Sequence, residues 1–234
     1  MDKKSSVEYS VIRMRSDERL AARIADEVIS TYDAKSVLDV GCGDGIISEH
    51  LSDRTYYQGI DISNACIYEK KLNNGSISYI DPESIESAME NSSPWEMVLL
   101  LDVIEHTKGF TTLFEKALSI SSRYIVVSLP NELFFMDRLR MLFGKELNAH
   151  SLDLINMPDG FKHQYIINIE KAKLVLNETA EEKGFKLTKE IARSLDAKSP
   201  INKMLAAIIK RFTDKQVWSM GSILIYEKLD AYEH

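Results

Sequence analysis

Short apolar runs alternate with amphipathic stretches through the first 130 residues. The runs are rich in β-branched residues, as buried strands are, and the stretches between them carry apolar residues at helical spacing. Five strands are predicted in this way, over Ser36–Val40, Tyr56–Ile60, Ser76–Ile80, Trp95–Leu101 and Tyr124–Leu129. The predicted helices cover Ser16–Tyr32, Ile46–Leu51, Asn64–Leu72 and Phe110–Ile120. Strands that alternate with helices indicate a parallel sheet with right-handed crossovers.

The last hundred residues follow a different pattern. Asn168 is expected to cap a helix that ends at about Lys183, and Phe185–Ala192 and Ser222–Glu227 are predicted as two further strands. Two segments interrupt the alternation: an insertion at about 132–165, expected to act as a cap or lid, and a helical insertion at about 197–216. Since no internal repeat or low-complexity linker is visible, residues 1–234 are expected to form a single domain.

Composition and charge narrow the classes of protein that the chain can belong to. It has 234 residues, of which 44% are hydrophobic and 28% charged, values that are typical of a globular protein. A net charge of −7 argues against nucleic acid as a partner, because phosphate binding needs a concentrated basic surface. The two cysteines, Cys42 and Cys66, lack the spacing of a metal site. The N-terminal residues also contain no apolar segment of the kind that a secretory signal needs. These two observations predict a reduced, cytoplasmic location and no metal.

A glycine-rich turn follows the first predicted strand, in the stretch Val37–Gly45 (VLDVGCGDG). Such a turn between a strand and a helix collects unpaired backbone N–H groups and lets a ligand come close to the chain. The dinucleotide fingerprint needs its third glycine where this chain has Ile46. Asp39 would repel a pyrophosphate but can receive the positive end of a cofactor that carries an amino acid. The turn therefore favours S-adenosylmethionine over NAD.

With these residues the chain resembles the class I S-adenosylmethionine-dependent methyltransferases. Val37–Gly45 is similar to the first motif of that family, acid-x-G-x-G-x-G, and Asp102–His106 (DVIEH) is similar to its D-x-I/L-E-H pattern after the fourth strand. The resemblance implies a Rossmann-like, mostly parallel sheet of seven strands in the order 3-2-1-4-5-7-6. The last strand would be antiparallel, and helices would cover both faces.

The resemblance also implies which residues hold the cofactor. Asp61, at the end of the second predicted strand, matches the acid that binds both ribose hydroxyls, and Ile62 matches the apolar residue that packs on the adenine. Asp81 stands where relatives often place an acid against the adenine amino group, although Pro82 follows it. The complete set of predicted cofactor-binding residues is Asp39, Gly41, Cys42, Gly43, Gly45, Asp61, Ile62, Asp81, Leu101 and Asp102.

Two histidines are candidates for the chemistry of the acceptor. S-adenosylmethionine carries an activated methyl group, so the protein mainly aligns the attacking atom, and a base helps where that atom belongs to a hydroxyl. His106 ends the fourth-strand motif, and His163 precedes the Asn168 helix, where relatives place a histidine followed by aromatic residues. The family pattern H-x-x-x-F is met only in part, because Ile167 stands at its last position.

The function predicted from the sequence is methylation of a small-molecule acceptor, on the oxygen of a hydroxyl or carboxyl. A catalytically silent, cofactor-binding scaffold is the alternative, whereas a nicotinamide-dependent oxidoreductase is disfavoured by Ile46 and Asp39. Two stretches, Phe134–Phe143 and Ile201–Phe212, combine apolar and basic residues. They are interpreted as lid or packing helices, while contact with a membrane surface and a homodimer stay open alternatives.

Overall fold

The computed structural model describes residues 23–62, 68–80, 85–90, 94–155, 162–194, 204, 207 and 210–229. Over these residues eight strands form one sheet. The strands are β1 (Ser36–Val40), β2 (Tyr56–Ile62), β3 (Tyr68–Leu72), β4 (Gly75–Ile80), β5 (Trp95–Leu101), β6 (Ser121–Pro130), β7 (Phe185–Ser194) and β8 (Ser219–Lys228). Their order across the sheet is β3-β4-β2-β1-β5-β6-β8-β7.

Short helices connect the strands. The α-helices are α1 (Ser30–Tyr32), α2 (Ile85–Glu90), α3 (Thr112–Ile120), α4 (Phe135–Leu142), α5 (Ile169–Glu182) and α6 (Lys215–Trp218). A π-helical turn over Ala25–Ile29 precedes α1, and 3-10 turns cover Ile46–His50, Ile104–His106, Asn148–His150 and Leu152–Leu154. Helix α5 begins where the sequence predicts, because the Asn168 side chain accepts a hydrogen bond from the backbone N–H of Lys171.

The predicted topology is confirmed for seven of the strands. When β3 is set aside, the order reads β4-β2-β1-β5-β6-β8-β7, which is the order 3-2-1-4-5-7-6 in the numbering of seven strands. Strand β1 pairs in parallel with β2 and β5, and β2 pairs in parallel with β4. Strand β8 lies between β6 and β7 and runs antiparallel to β7. The sheet is therefore the mostly parallel one that the alternating pattern predicts.

Strand β3 corrects one prediction. The predicted helix over Asn64–Leu72 is wrong where the structure describes it, since Tyr68–Leu72 pairs antiparallel with β4. Leu72 pairs with Gly75, so Asn73 and Asn74 form the two-residue loop of a hairpin. A pair of asparagines before a glycine is typical of such hairpin loops as well as of helix ends. Because of this hairpin the sheet has eight strands instead of seven.

The chain divides into two compact units. The first comprises Met1–Leu101 and Lys116–Ile125, and the second comprises Asp102–Glu115 and Val126–His234. Among the described residues of the first unit, the apolar side chains of β1 and β5 are buried. In the second unit the ring of Tyr226 on β8 lies 5.3 Å from that of Phe114, and its hydroxyl donates to the side chain of Asn177 on α5 at 3.0 Å. The expected single domain with two insertions stays a prediction.

The first insertion is described over 132–155 and 162–165. It contains α4, whose large apolar side chains Met136, Leu139, Met141 and Leu142 are exposed, as is Phe143 directly after it. Of the second insertion the structure describes few residues, among which Met204 and Phe212 are exposed. No helix in the described part of the chain is long and apolar enough to cross a bilayer. The role of the first insertion as a lid stays a prediction.

Candidate active site

The glycine turn after β1 adopts the conformation that its composition predicts. Gly41, Gly43 and Gly45 all have positive φ, at 77°, 58° and 74°. A Cβ atom on Gly45 would lie 2.1 Å from Cδ1 of Ile77, whereas a Cβ atom on Gly43 would meet nothing within 4 Å. Gly45 is therefore required by the packing of the turn itself. At Gly43 the backbone borders open space, which is what a closely approaching ligand needs.

Asp61 ties the end of β2 to this turn. It is 7% exposed, one carboxylate oxygen accepts a hydrogen bond from the N–H of Gly43, and the other accepts one from Ile62 at 2.7 Å. The hydroxyl of Tyr79 donates to the carbonyl of Gly43 at 3.1 Å and supports the turn from the neighbouring strand. An ionised carboxyl has about four acceptor positions, so Asp61 can hold the turn and still accept hydroxyl donors. The donor and acceptor chemistry fits the ribose of S-adenosylmethionine.

Asp39 is more enclosed than Asp61. It is 2% exposed, and the hydroxyl of Tyr57 donates to its Oδ2 at 2.7 Å. Burial and the neighbouring charge of Asp39 raise the pKa of Tyr57 well above its usual value, so the phenol stays a donor. This hydrogen bond from Tyr57 on β2 fixes the orientation of the Asp39 carboxyl on β1.

The remaining predicted cofactor residues lie at strand ends or in the turn. Ile62 and Leu101 are half-buried at the ends of β2 and β5. Cys42 packs against β2, because a Cβ atom on Gly59 would lie 2.7 Å from its Sγ. Asp81 lies outside the described residues. The roles of all these residues toward the cofactor stay predictions.

In the second unit Asp102 is held by residues of β6 and β7. Its φ is 51°, an uncommon left-handed conformation for a residue other than glycine. Its N–H donates to the carbonyl of Ser128 at 3.1 Å, and its Oδ1 accepts hydrogen bonds from the Ser128 hydroxyl at 2.8 Å and from Arg193 at 2.5 Å. The Arg193 guanidinium, at the end of β7, compensates the charge of Asp102.

Glu105 is a buried acid of the D-x-I-E-H motif. Its side chain is inaccessible to solvent, and neither carboxyl oxygen has a hydrogen-bond partner among the described residues. Burial, reinforced by the charge of Asp102, raises the pKa of Glu105 well above its usual value. Its backbone carbonyl accepts from the N–H of Gln164 at 2.7 Å, which joins the motif to the segment that carries His163.

His106 and His163 lie side by side. Their ring centroids are 4.6 Å apart, and the rings meet edge to face. Nδ1 of His106 lies 3.2 Å from the carbonyl oxygen of Lys162. Because a carbonyl can only accept, Nδ1 of His106 carries the hydrogen in this hydrogen bond. The structure thus brings together the two histidines that the sequence named as candidates, which are 57 positions apart.

Glu132 organises a second group of side chains around His163. It lies two residues after the end of β6 and is 7% exposed. Its Oε1 lies 2.8 Å from Nδ1 of His163 and 2.8 Å from Nε2 of His150, and its Oε2 accepts from the N–H of Ile167 at 2.8 Å. Burial alone would raise the pKa of Glu132, but the hydrogen bonds from His163 and Ile167 and the two imidazoles lower it.

This geometry fixes the tautomer of His163. An ionised carboxylate only accepts, so the Nδ1 of His163 donates to Glu132 and its Nε2 carries the lone pair of the neutral ring. The same argument makes Nε2 of His150 a donor. A carboxylate that orients an imidazole in this way is the arrangement found where histidine acts as a general base.

Sequence reasoning missed four of these residues. Glu132 could have been found, because it follows Pro130 and Asn131 at the end of a predicted strand, on the edge where such sheets bind ligands. His150 carries no comparable signal, since it stands in an irregular segment 18 positions from Glu132. Ser128 lies inside a predicted strand and Arg193 directly follows one, and neither gave an indication of its contact with Asp102.

Comparison with known proteins identifies the family. A family model described as "Methyltransferase domain" matches residues 13–188. The ubiquinone biosynthesis O-methyltransferase of Nitrosomonas europaea is 31% identical over 86 residues, which cover 35% of this chain and 37% of the relative. The corresponding protein of Saccharophagus degradans is 32% identical over 77 residues, which cover 31% of this chain and 33% of the relative. The chain thus spans about a third of the length of these curated relatives.

A solved structure shares the fold along nearly the whole chain. A SAM-dependent methyltransferase from Archaeoglobus fulgidus superposes with a TM-score of 0.59 at 18% identity, over 94% of this chain and 99% of that one. This likeness confirms the predicted Rossmann-like fold. The family model, which spans most of the chain, confirms at the level of the family the predicted methyltransferase and its cofactor class. The chain belongs to the S-adenosylmethionine-dependent methyltransferases.

Proposed function

We propose that this protein transfers a methyl group from S-adenosylmethionine to an oxygen atom of a small-molecule acceptor, with His163 as the general base. The observation that carries the proposal is the 2.8 Å hydrogen bond between Nδ1 of His163 and the buried carboxylate of Glu132. This hydrogen bond leaves Nε2 as the acceptor nitrogen of a side chain that is 14% exposed.

The cofactor would be held by the glycine turn and the acid that supports it. The backbone of Gly43, where a Cβ atom would meet nothing within 4 Å, would border the cofactor, the carboxylate of Asp61 supplies acceptors, and the half-buried Ile62 supplies an apolar surface for the adenine. S-adenosylmethionine contributes an activated methyl group on a sulfonium. The protein then has to orient the acceptor oxygen and exclude water around it.

The histidines would act on the acceptor. Nε2 of His163 takes the proton of an acceptor hydroxyl, and the carboxylate of Glu132 stabilises the imidazolium that results. His106, whose ring lies against that of His163, restricts the ring to one orientation. Positioned acid–base groups of this kind contribute about 10²- to 10⁴-fold to a rate. A carboxyl acceptor is already ionised near neutral pH, so it would need the orientation but not the base.

The choice of oxygen as the methylated atom rests on two supports. One is the general base, which a hydroxyl needs more than most nitrogen acceptors do. The other is the local similarity to two ubiquinone biosynthesis O-methyltransferases, which covers about a third of each. We also propose that the insertion at 132–165 encloses the acceptor, because it carries Glu132, His150 and His163 within one short segment.

The test is methyl transfer from isotope-labelled S-adenosylmethionine to a panel of phenols, aliphatic alcohols and carboxylic acids, followed by fractions of a metabolite extract. The label is expected in a small product, on oxygen. His163→Ala should reduce turnover of a hydroxyl acceptor by about 10²-fold or more while the affinity for the cofactor changes little. His50→Gln, at an exposed position of the 3-10 turn Ile46–His50, is the matched control.

Two results would contradict the proposal. Tight binding of S-adenosylmethionine without transfer to any acceptor would favour the silent scaffold that the sequence leaves as the alternative. Transfer to nitrogen or carbon with normal turnover in His163→Ala would disprove both the methylation of oxygen and the role of His163 as the base.

A further inference from the structure

We propose that Glu132, His150 and His163 form a binding site for a divalent transition-metal ion of the zinc type. The three side chains offer one carboxylate oxygen and two imidazole nitrogens, and these ligand atoms lie within 4.8 Å of one another. Two histidines and one glutamate are a ligand set that zinc accepts, with a further position left open for water or a substrate atom. All three residues belong to the second compact unit.

The distances are close to those around a bound ion. Each imidazole nitrogen lies 2.8 Å from Oε1 of Glu132. Around a tetrahedral zinc ion with bonds of about 2.0–2.1 Å, neighbouring ligand atoms would be about 3.3 Å apart. An ion would therefore enter after the two rings move outward by a few tenths of an ångström. The ring planes of His150 and His163 are nearly perpendicular, at 87°, and their centroids lie 5.8 Å apart.

The residues around the ligands hold them in place. Oε2 of Glu132 accepts a hydrogen bond from Ile167, which directs Oε1 toward the histidines. The turn that carries His150 is fixed by Arg140, which donates to Asn148 at 2.6 Å. Such outer hydrogen bonds orient metal ligands before the ion arrives, and their loss typically weakens binding by about 10- to 100-fold.

The same turn is braced from its other side. Ser151 donates to a carboxylate oxygen of Glu146 at 2.8 Å, and the backbone N–H of Leu152 donates to the same oxygen at 3.2 Å. The N–H of His150 donates to the carbonyl of Leu147 at 3.0 Å. His150 is thus presented by a loop that is closed by its own hydrogen bonds, so little ordering is left for the ion to impose.

A neighbouring group, Glu105, His106 and His163, also brings three ligand atoms within 4.8 Å. Its acid makes no hydrogen bond to either imidazole, since both oxygens of Glu105 lack a partner among the described residues. In the Glu132 group, by contrast, both imidazole nitrogens already point at one oxygen atom. His150 belongs only to the Glu132 group and His106 only to the Glu105 group, so the two sites can be separated by mutation.

Metal binding would have a consequence for the reaction, and this step rests on the proposed function. An ion on Nδ1 of His163 displaces the hydrogen from that nitrogen, and in the neutral ring the hydrogen then sits on Nε2. Nε2 can no longer accept a proton, so the ion and the general base exclude each other. Occupancy of the site would therefore inhibit methylation of a hydroxyl acceptor.

The experiment measures binding directly. The full chain, freed of metal with a chelator, is titrated with Zn²⁺ against a chromophoric competitor and with Co²⁺, whose visible absorption bands report tetrahedral coordination. We expect one ion per chain. His150→Gln should weaken Zn²⁺ binding by at least about 100-fold, more than the loss of an outer residue does. His106→Gln and the exposed-site control His50→Gln should bind as the unaltered chain does, and Glu132→Gln serves as a second ligand variant.

The outcomes separate the two proposals. Absence of one-to-one binding, or a loss in His106→Gln equal to that in His150→Gln, would overturn the proposed site. Once an acceptor is known, Zn²⁺ should inhibit turnover of the unaltered chain, and His150→Gln should escape that inhibition. Binding at the predicted residues together with no methyl transfer to any acceptor would overturn the proposed function and leave the metal site standing.

Discussion

The two compact units present different kinds of groups. In the first unit the backbone of the glycine turn borders open space at Gly43, and Asp61 presents one carboxylate beside it. In the second unit His163, Glu132 and Arg193 present side-chain groups that lie far apart in the sequence. The first arrangement suits a ligand that is the same throughout the family. The second can change one side chain at a time and so suits an acceptor that differs between members.

The two units also differ in how much their polar groups reduce the stability of the fold. A backbone turn satisfies its own hydrogen bonds, as the contact between Gly41 and the carbonyl of Ile60 at 2.8 Å shows. Buried carboxyls need partners, and Glu105 has none among the described residues, so burial raises its pKa well above its usual value. We infer that the second unit gives up stability for chemistry, as functional sites commonly do. Substitutions in the two units should therefore separate binding, turnover and stability.

The largest effect is expected for Glu132→Gln. The amide keeps the volume of the side chain but no longer fixes the hydrogen of His163 on Nδ1. Turnover of a hydroxyl acceptor should fall by about 10²- to 10⁴-fold, while the affinity for S-adenosylmethionine stays the same. Steady-state kinetics on chelator-treated protein and calorimetry measure the two quantities. Glu178→Gln, on the exposed face of α5, is the matched control. A loss of cofactor affinity instead would assign Glu132 to cofactor binding and not to the chemistry of the acceptor.

The next effect belongs to the first unit. Asp61→Asn replaces a carboxylate oxygen with an amide donor, so charge-assisted hydrogen bonds to a ribose are lost. At about 1.5–3 kcal/mol, this corresponds to a ~10- to 100-fold weaker affinity for S-adenosylmethionine. Turnover at saturating cofactor should change much less. Calorimetry measures the affinity, with the exposed Asp53→Asn as control. Equal affinity in both variants would disprove the assignment of Asp61.

A third prediction tests whether steric fit governs the glycine turn. Gly45→Ala would bring a Cβ atom within 2.1 Å of Ile77, while Gly43→Ala has open space and only the strain of a positive φ. Overpacking of this kind costs about 1–3 kcal/mol beyond the backbone strain. Urea unfolding should therefore show a larger loss for Gly45→Ala, and Ile77→Val in that background should recover part of it. Equal losses in the two alanine variants would mean that φ alone matters.

The order of the sheet could be predicted because each of its signals is local. A buried strand such as Trp95–Leu101 can be recognised from its own seven residues. The order of the strands follows from the family that the glycine turn indicates. Strand β3 could not be predicted in this way. Its residues include Lys70 and Lys71 and carry no apolar alternation, and its pairing is decided by a hairpin loop that also reads as the end of a helix.

The candidate site could be predicted in part for the same reason. Asp61 is 16 positions from Gly45 and ends a strand, so the motif finds it. The contact between Glu132 and His150 depends on how an irregular segment closes on itself, through hydrogen bonds such as that from Arg140 to Asn148. Neither spacing nor periodicity encodes such a closure. Side chains that a strand end positions are predictable, and those that a loop positions need the structure.

The smallest effect concerns charges of the second unit that have no part in the proposed chemistry. Glu190 accepts hydrogen bonds from Lys215 at 2.6 Å, Lys173 at 3.0 Å and Ser222 at 2.8 Å. Burial would raise the pKa of Glu190, but the hydrogen bonds and charges of these partners lower it. Because the folded chain then holds its proton less tightly than the unfolded chain, the stabilisation is complete above the unfolded pKa of about 4.5 and is lost as the pH falls through the folded pKa.

Glu190→Gln should therefore destabilise the protein near neutral pH, and the difference from the unaltered chain should shrink in acid. With the side chain 18% exposed, we expect about 1 kcal/mol, or roughly 2–4 °C in melting temperature. Thermal unfolding between pH 3 and pH 7 measures it, with the exposed Glu182→Gln as control. Turnover and cofactor affinity should be unchanged, because Glu190 contacts none of the histidines or the glycine turn in the described structure. A loss of turnover without a loss of stability would mean that charge in this unit acts on the reaction from further away than the cluster around Glu132.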